Sequence, residues 1–248
     1  MNTLSSLFVA AVVIATSAIP VSASRPDLPE LPQQAGVYET GRPGEMLRVF
    51  VHKAKPAPTA PTLTCNLSDP DSATVVPGAG WHLPSSWSYV VNAESAPATV
   101  GAANVGTIVS NAFAVWQAQV PSVTVTNGGS TSLTRAARDN RNIITWGRTS
   151  GSALAVTYIW YTNGVAQETD TIFNKTFRWY WSTQADCAYN GVYDAQDILT
   201  HELGHTYGLD DTYTAAYADN TMYGYGSTGE VKKDTLTSGD IEGVQSLY

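Results

Sequence analysis

The spacing of hydrophobic and polar residues predicts a mixture of strands and helices from about residue 81 onward. Apolar residues recur every three or four positions over residues 98–120, which predicts an amphipathic helix that Pro121 ends. Its apolar face consists of Val105, Ile108, Val109, Ala112, Val115 and Trp116. Runs rich in Val, Ile, Thr and aromatic residues, separated by Gly, Asn and Ser, predict strands. These strand segments are residues 87–92, 122–126, 142–146, 153–161 and 169–177.

Two further helices are predicted near the end of the chain. The first covers residues 193–207, with Asp194 near its start and Gly208 as its C-terminal stop. The second covers residues 238–247. Strands followed by helices in this order indicate an α+β domain in which helices back a sheet.

The N-terminal third of the chain consists of an apolar run followed by a proline-rich segment. Residues 7–19 form an apolar run that is too short to span a bilayer, and Val21-Ser22-Ala23 fits a cleavage site, so residues 1–23 are predicted to be a secretory signal peptide. Seven of the thirteen prolines lie between residues 24 and 64. We therefore interpret residues 24–80 as a Pro-rich pro-segment or linker, in which residues 45–53 could form a strand.

Composition narrows the classes of function. The chain has a net charge of −8 and only 14% charged residues, which argues against nucleic acid or an anionic membrane as a partner. No second long apolar stretch follows the signal peptide, so no membrane anchor is expected. Seven Trp and thirteen Tyr suit a chain rich in β-structure or one with an aromatic-lined groove.

The most informative stretch begins at His201. On a helix, His201 and His205 lie one turn apart on the same face, so both imidazoles can reach one metal ion about 2 Å away. Glu202 lies about 100° round the helix, where it can reach a water at the metal more easily than the metal itself. Leu199 and Leu203 supply part of the opposite, buried face.

Gly208 predicts a sharp turn after this helix, because glycine readily adopts the left-handed backbone conformation. That turn can return Asp211 to the metal, with Asp210 as the alternative. Two histidines and one carboxylate leave a fourth tetrahedral position open, as in a catalytic zinc site.

These residues resemble the extended zinc signature of the metzincin metallopeptidases, H-E-x-x-H-x-x-G-x-x-H, with Asp211 in place of the last histidine. The acidic variant is similar to the small secreted peptidases of the snapalysin type. The surroundings resemble matrixins in three places: the lead-in at 193–200, the Met-turn at 220–224 and the closing helix at 236–248. Over residues 81–192 the agreement is in the order of elements.

The resemblance implies a zincin-like α+β fold. Its twisted, mixed five-stranded sheet would have one antiparallel edge strand, which we assign to residues 153–161, and a substrate backbone could add to this edge as a further strand. Met222 would form a floor beneath the zinc rather than bind it. Matrixins often carry a second, structural zinc, but only His52 and His82 remain for it and both lie far upstream, so that site is not expected.

The function implied is that of a secreted, monomeric zinc metalloendopeptidase acting on protein or peptide substrates. Residues 81–248 would be its catalytic domain, with one catalytic Zn²⁺ on His201, His205 and Asp211 and with Glu202 as the general base. The resemblance also allows Ca²⁺, although no compact loop of the EF-hand type occurs. The alternative is a catalytically weak secreted zinc-binding module that recognises protein or cell-wall partners.

The two cysteines, Cys65 and Cys187, allow two interpretations. In an exported protein a disulfide between them is expected. The resemblance offers a second hypothesis, because matrixin pro-segments can place a cysteine thiolate on the zinc, although residues 64–69 do not match the usual flanks of that motif.

Overall fold

A computed structural model describes residues 30–55, 70–149, 151–183 and 191–248. The predicted signal peptide and both cysteines lie outside the described residues. The strands are β1 (Gly36–Glu39), β2 (Glu45–Ala54), β3 (Ser86–Val91), β4 (Thr124–Ser130), β5 (Asn142–Gly147), β6 (Ala153–Thr162), β7 (Val165–Asn174), β8 (Trp179–Tyr180), β9 (Tyr193–Asp194) and β10 (Tyr225–Gly226). The helices are α1 (Ala102–Gln117), α2 (Ala195–Thr206) and α3 (Ser238–Gln245), with short 3₁₀ turns at Ala93–Ser95, Ala215–Tyr217 and Lys232–Asp234.

The main sheet has the order β1-β2-β6-β7-β5-β3-β4, and β10 pairs with β2. Strands β4, β3, β5 and β7 are parallel to one another, whereas β6 is antiparallel to β7. These five strands form the mixed arrangement expected from the sequence, so the α+β class is confirmed. The expected number of strands is wrong, because β1, β2 and β10 extend the sheet to eight strands in the described part of the chain. Strands β8 and β9 form a separate parallel pair.

Helix α1 covers one face of the sheet with most of the stripe that the sequence predicts, except that Phe113 is buried and the predicted Val115 is only partly buried. Its buried residues are Val105, Ile108, Val109, Ala112, Phe113 and Trp116. The indole Nε1 of Trp116 donates to the carbonyl oxygen of Thr200 at 2.8 Å, which ties α1 to α2. The largest cluster of buried apolar side chains contains residues of both helices and of the sheet.

The prediction that residues 153–161 form the edge of the sheet is wrong. Strand β6 lies between β2 and β7, and its partner β2 belongs to the segment interpreted as a linker. Residues 31–248 form one compact unit, so this unit begins well before residue 81. The sequence-based argument missed this because it gave the prolines more weight than the proline-free run at residues 44–55, which can fill a sheet edge. A role of residues 24–80 as a pro-segment stays a prediction.

Strand β7 begins four residues before its predicted start. Asn163 and Gly164 both adopt positive φ values, 51° and 76°, and form a tight turn that joins β6 directly to β7. An Asn-Gly pair favours such hairpins, so the signal was present in the sequence. Among the described helices, none is long and apolar enough to cross a membrane.

Candidate metal centre and active site

Every residue of helix α2 except Gln196 is buried. The Asp194 carboxylate caps its N-terminus by accepting from the N–H groups of Gln196 at 2.8 Å and Asp197 at 3.0 Å. Such a cap satisfies N–H groups that the helix leaves unpaired. His201 and His205 lie on the same face with ring centroids 4.8 Å apart, as their four-residue spacing requires.

Gly208 turns the chain back toward these histidines. Its φ of +106° lies in the left-handed region, and a Cβ there would collide with the carbonyl oxygen of Trp81. Only glycine satisfies both conditions without strain. The turn brings Asp211 against the imidazoles of α2, as the sequence predicts.

Three ligand atoms converge at this point. Asp211 Oδ1 lies 3.2 Å from His201 Nε2 and 3.4 Å from His205 Nε2. Ligands about 2.0–2.1 Å from a tetrahedral zinc are separated by about 3.3 Å, which matches these distances. Among the described residues, the same three atoms are buried without a hydrogen-bond partner. Because buried polar atoms are normally paired, this arrangement fits a metal ion.

The other nitrogen of each imidazole fixes its tautomer. His201 Nδ1 lies 2.7 Å from the carbonyl oxygen of Thr221, and His205 Nδ1 lies 2.9 Å from that of Leu209. A carbonyl can only accept, so Nδ1 carries the proton and Nε2 keeps its lone pair for a metal.

The two adjacent aspartates point to different partners. Asp210 Oδ1 accepts from Arg48 Nη2 at 3.0 Å, away from the histidines. Asp211 Oδ2 accepts from the hydroxyl of Tyr213 at 2.9 Å, which leaves Oδ1 facing the imidazoles. Of the two candidates from the sequence, the structure therefore brings Asp211 to the histidines.

Burial and charge set the protonation of the ligand set. Burial lowers the pKa of His201 to about 4, so this imidazole is neutral and can donate its lone pair. Although burial raises the pKa of the Asp211 carboxyl, the facing imidazoles of His205 and His201 together hold that pKa well below its usual value. The carboxylate in turn raises the pKa of His205 against the effect of burial.

Glu202 lies beside the three ligand atoms, with both carboxylate oxygens held. Thr157 on β6 donates its hydroxyl to Oε2 at 2.5 Å, and His52 Nδ1 lies 3.2 Å from Oε1. Burial raises the pKa of Glu202 to about 7. A carboxyl with a pKa near neutrality can both accept and return a proton, which suits a general base.

Met222 lies directly beneath α2. A Cβ at Gly204 would collide with Met222 Sδ and with the ring of Trp116, so glycine allows the helix to approach this floor. The buried Asp240 carboxylate accepts from the N–H groups of Thr221 at 2.8 Å and Met222 at 3.2 Å, and this contact fixes the turn.

Sequence reasoning missed several residues that touch the site. His52 lies far upstream in the sequence, yet its ring centroid lies 4.0 Å from that of His201. Phe50, from the same strand, stacks on His205 with centroids 3.7 Å apart. The buried Lys233 donates through Nζ to Tyr223 O at 2.9 Å and lies 3.4 Å from His52 Nε2. Only the scarcity of histidine could have drawn attention to His52, since four occur in the chain.

Comparison with protein-family models gives a match to the matrixin peptidase family over residues 81–248. The chain belongs to the matrixin family. A search of curated proteins finds no significant match. A matrixin domain is a zinc metallopeptidase in general, so the metal that this cluster would hold is zinc. The matched region contains α2, Asp211 and the Met-turn, whereas β2 lies outside it.

Proposed function

We propose that this matrixin is a secreted zinc metalloendopeptidase in which His201, His205 and Asp211 hold the zinc and Glu202 is the general base. The observation that carries the proposal is the convergence of three buried, unpartnered ligand atoms next to a buried carboxylate. The apolar run at residues 7–19 and the cleavage pattern at residues 21–23 support export.

When bound, zinc supplies Lewis-acid polarisation of the scissile carbonyl and of a water molecule. The carboxylate of Glu202 would accept a proton from the attacking water and later return it to the leaving amine. The hydroxyl of Thr157 donates to Oε2 of Glu202 and orients the carboxylate. Burial raises the pKa of this carboxyl to about 7. Tyr213 holds Oδ2 of Asp211, so that Oδ1 faces the two imidazoles.

Replacement of Glu202 tests whether catalysis can be lost while zinc binding is kept. We expect Glu202→Gln to keep one zinc per chain while casein hydrolysis falls by about 10²- to 10⁴-fold. The matched control is Glu242→Gln on the exposed side of α3, which should retain both properties. Zinc is measured by atomic emission, and hydrolysis is measured before and after chelation and zinc return.

The outcomes also address the alternative of a binding module. Hydrolysis that persists in Glu202→Gln would refute the general-base assignment. An unaltered chain that binds zinc but does not hydrolyse casein would instead favour a module that only recognises partners.

A further inference from the structure

Two threonines lie side by side on the face of the sheet that carries α2. Thr157 on β6 is directly opposite Thr171 on β7, so their side chains point to the same face. Ala155 and Ile159, the neighbours of Thr157 on that face, belong to the buried cluster that also contains residues of α2. Both threonines therefore face the helix that carries the two histidines.

The two hydroxyls form a chain that ends on the carboxylate of Glu202. Oγ1 of Thr171 lies 2.9 Å from Oγ1 of Thr157, which in turn lies 2.5 Å from Oε2 of Glu202. An ionised carboxylate can only accept, so Thr157 donates its proton to Glu202. A hydroxyl has a single proton, so in the contact between the two threonines Thr171 is the donor. Both protons of the chain thus point toward Glu202.

The chain is shielded from water. Thr157 and Glu202 are fully buried, and Thr171 is only 2% exposed. Buried hydroxyls keep their protein partners because no solvent competes for them. A hydrogen bond from a hydroxyl to a carboxylate is also stronger than one between neutral groups. The contact with Thr157 is therefore a firm constraint on the side chain of Glu202.

This constraint leaves the two oxygens of Glu202 in different surroundings. Oε2 accepts from Thr157, whereas Oε1 contacts Nδ1 of His52, whose ring packs against that of His201. Oε1 is therefore the oxygen on the side of the metal ligands. With a donor already at Oε2, a proton that Glu202 takes up belongs on Oε1.

A glutamate on a helix needs such a support to act as a base. Its side chain has several rotatable bonds, whereas threonine is stiff at χ1 and is fixed here on a strand. A catalytic group that shifts by about 1 Å can lose about 10²-fold in rate. Contact with the sheet therefore holds the carboxylate more precisely than the helix backbone alone.

We propose that Thr157 and Thr171 are positioning residues for Glu202, and that their hydroxyl chain holds Oε2 so that Oε1 exchanges the proton. This inference rests on the proposed peptidase function, because it assigns the support of the general base of that site. Thr171 acts only through Thr157, and both act through Glu202. The sheet therefore takes part in catalysis through two neutral side chains.

The kinetic test uses full-length chains loaded with zinc. Thr157→Val removes the hydroxyl at nearly constant shape, Thr157→Ser keeps it, and Thr171→Val removes only the outer donor. The matched control is Thr145→Val. Thr145 is also fully buried, and its hydroxyl pairs with Ser95 at 3.0 Å on the opposite face of the sheet. Zinc content, kcat and KM for labelled casein are measured for each chain.

We expect Thr157→Val to keep its zinc and its KM while kcat falls by about 10- to 100-fold, because only the transition state depends on an aligned base. Thr157→Ser should restore kcat to within about threefold of the unaltered chain. Thr171→Val should lower kcat by about threefold, since the bond from Thr157 to Glu202 remains. Thr145→Val should leave kcat and KM unchanged even if it lowers stability.

A second test needs no activity and no metal. The unfolding equilibrium constant of the zinc-free chain is measured in urea for Thr157→Val, for Glu202→Leu and for the double variant. Thr157→Val alone strands a buried carboxylate, whereas in the double variant both partners are apolar. We expect Thr157→Val to raise the unfolding constant about tenfold more when Glu202 is present than when Leu replaces it.

These results distinguish the inference from the proposed function. A kcat within about twofold of the unaltered chain in Thr157→Val, or an equal loss in Thr157→Ser, would overturn the inference and leave the peptidase assignment intact. Additive effects on unfolding would overturn it as well, whatever the activity. Coupled effects in a chain that hydrolyses no casein would support the positioning of Glu202 and contradict the peptidase assignment. If Thr157→Val does not fold, Thr157→Ala takes its place in both tests.

Discussion

At the scale of single residues, the metal centre depends on hydrogen bonds that orient each ligand from behind. Backbone carbonyls fix the tautomers of His201 and His205, and the hydroxyl of Tyr213 fixes the carboxylate of Asp211. The contacts to the two histidines come from backbone carbonyls, which a side-chain substitution does not remove. The contact to Asp211 comes from a side chain. Tyr213 is therefore the orienting contact that mutation can remove.

We expect Tyr213→Phe to weaken zinc binding by about tenfold, because the loss of an outer hydrogen bond typically lowers metal affinity by that order or more. Affinity is measured by titration against a competing chelator. Tyr217→Phe, in the nearby 3₁₀ turn, serves as the control. Equal affinities in the two variants would show that Tyr213 does not orient Asp211.

Gly204 gives a second prediction at this scale. Gly204→Ala places a methyl group against Met222 and Trp116, so we expect the free energy of unfolding to fall by about 1–3 kcal/mol. Gly106 lies on the exposed side of α1 with open space around it, so Gly106→Ala should stabilise by up to about 1 kcal/mol. Urea unfolding measures both. A loss of similar size at both positions would refute the close-packing argument.

At the scale of elements, a buried carboxylate ties the loop before β5 to β7. Asp170 accepts from the N–H groups of Ala137 at 2.9 Å and Ile143 at 3.1 Å. Burial raises the pKa of Asp170 well above its usual value. These hydrogen bonds join β7 to β5 and to the loop before it. The protonation of Asp170 therefore affects the stability of the fold.

The sign of the pH effect follows from the raised pKa. The folded chain retains the proton of Asp170 at pH values where the unfolded chain, with a pKa of about 3.9, has lost it. The stability contributed by this group is full below about pH 4 and declines as the pH rises through the folded pKa. We expect the free energy of unfolding of Asp170→Asn to decline less as the pH rises. Urea titrations at several pH values measure this dependence. The exposed Glu94→Gln is the control, and an unchanged slope in Asp170→Asn would contradict the assignment.

At the scale of the whole molecule, the metal centre places three residues that are close in sequence among groups from distant parts of the chain. Helix α2, the turn at Asp211, the Met-turn and β2 all meet there. The unfolded chain cannot bring these groups together, so zinc bound at the site should stabilise the fold by mass action.

Zinc at about 1,000 times its Kd should raise the free energy of unfolding by about 4 kcal/mol. His205→Ala should abolish this gain, and His82→Ala, an exposed histidine outside the site, should keep it. Thermal or urea unfolding with and without zinc measures the difference. Equal stabilisation of all three chains would place the zinc elsewhere.

Local rules predict that His201, His205 and Asp211 come together, because these residues are close in sequence. His201 and His205 share a face through helical spacing, and Gly208 returns Asp211 through a single turn. The amphipathic face of α1 can likewise be predicted from the sequence, since its apolar stripe depends only on a period of 3.6 residues. These features arise from short-range geometry, which the sequence specifies directly.

The position of β2 depended on the tertiary structure. Its pairing with β6 joins residues about a hundred positions apart, and strand pairing at such distance has no local signature. Consequently His52 and Phe50 could not be assigned to the metal centre, and β6 could not be recognised as an inner strand. The sequence by itself predicted which groups could bind zinc and act as a base. Only the folded chain decided what covers them, because the pairing of β2 with β6 joins distant segments and no local sequence pattern specifies it.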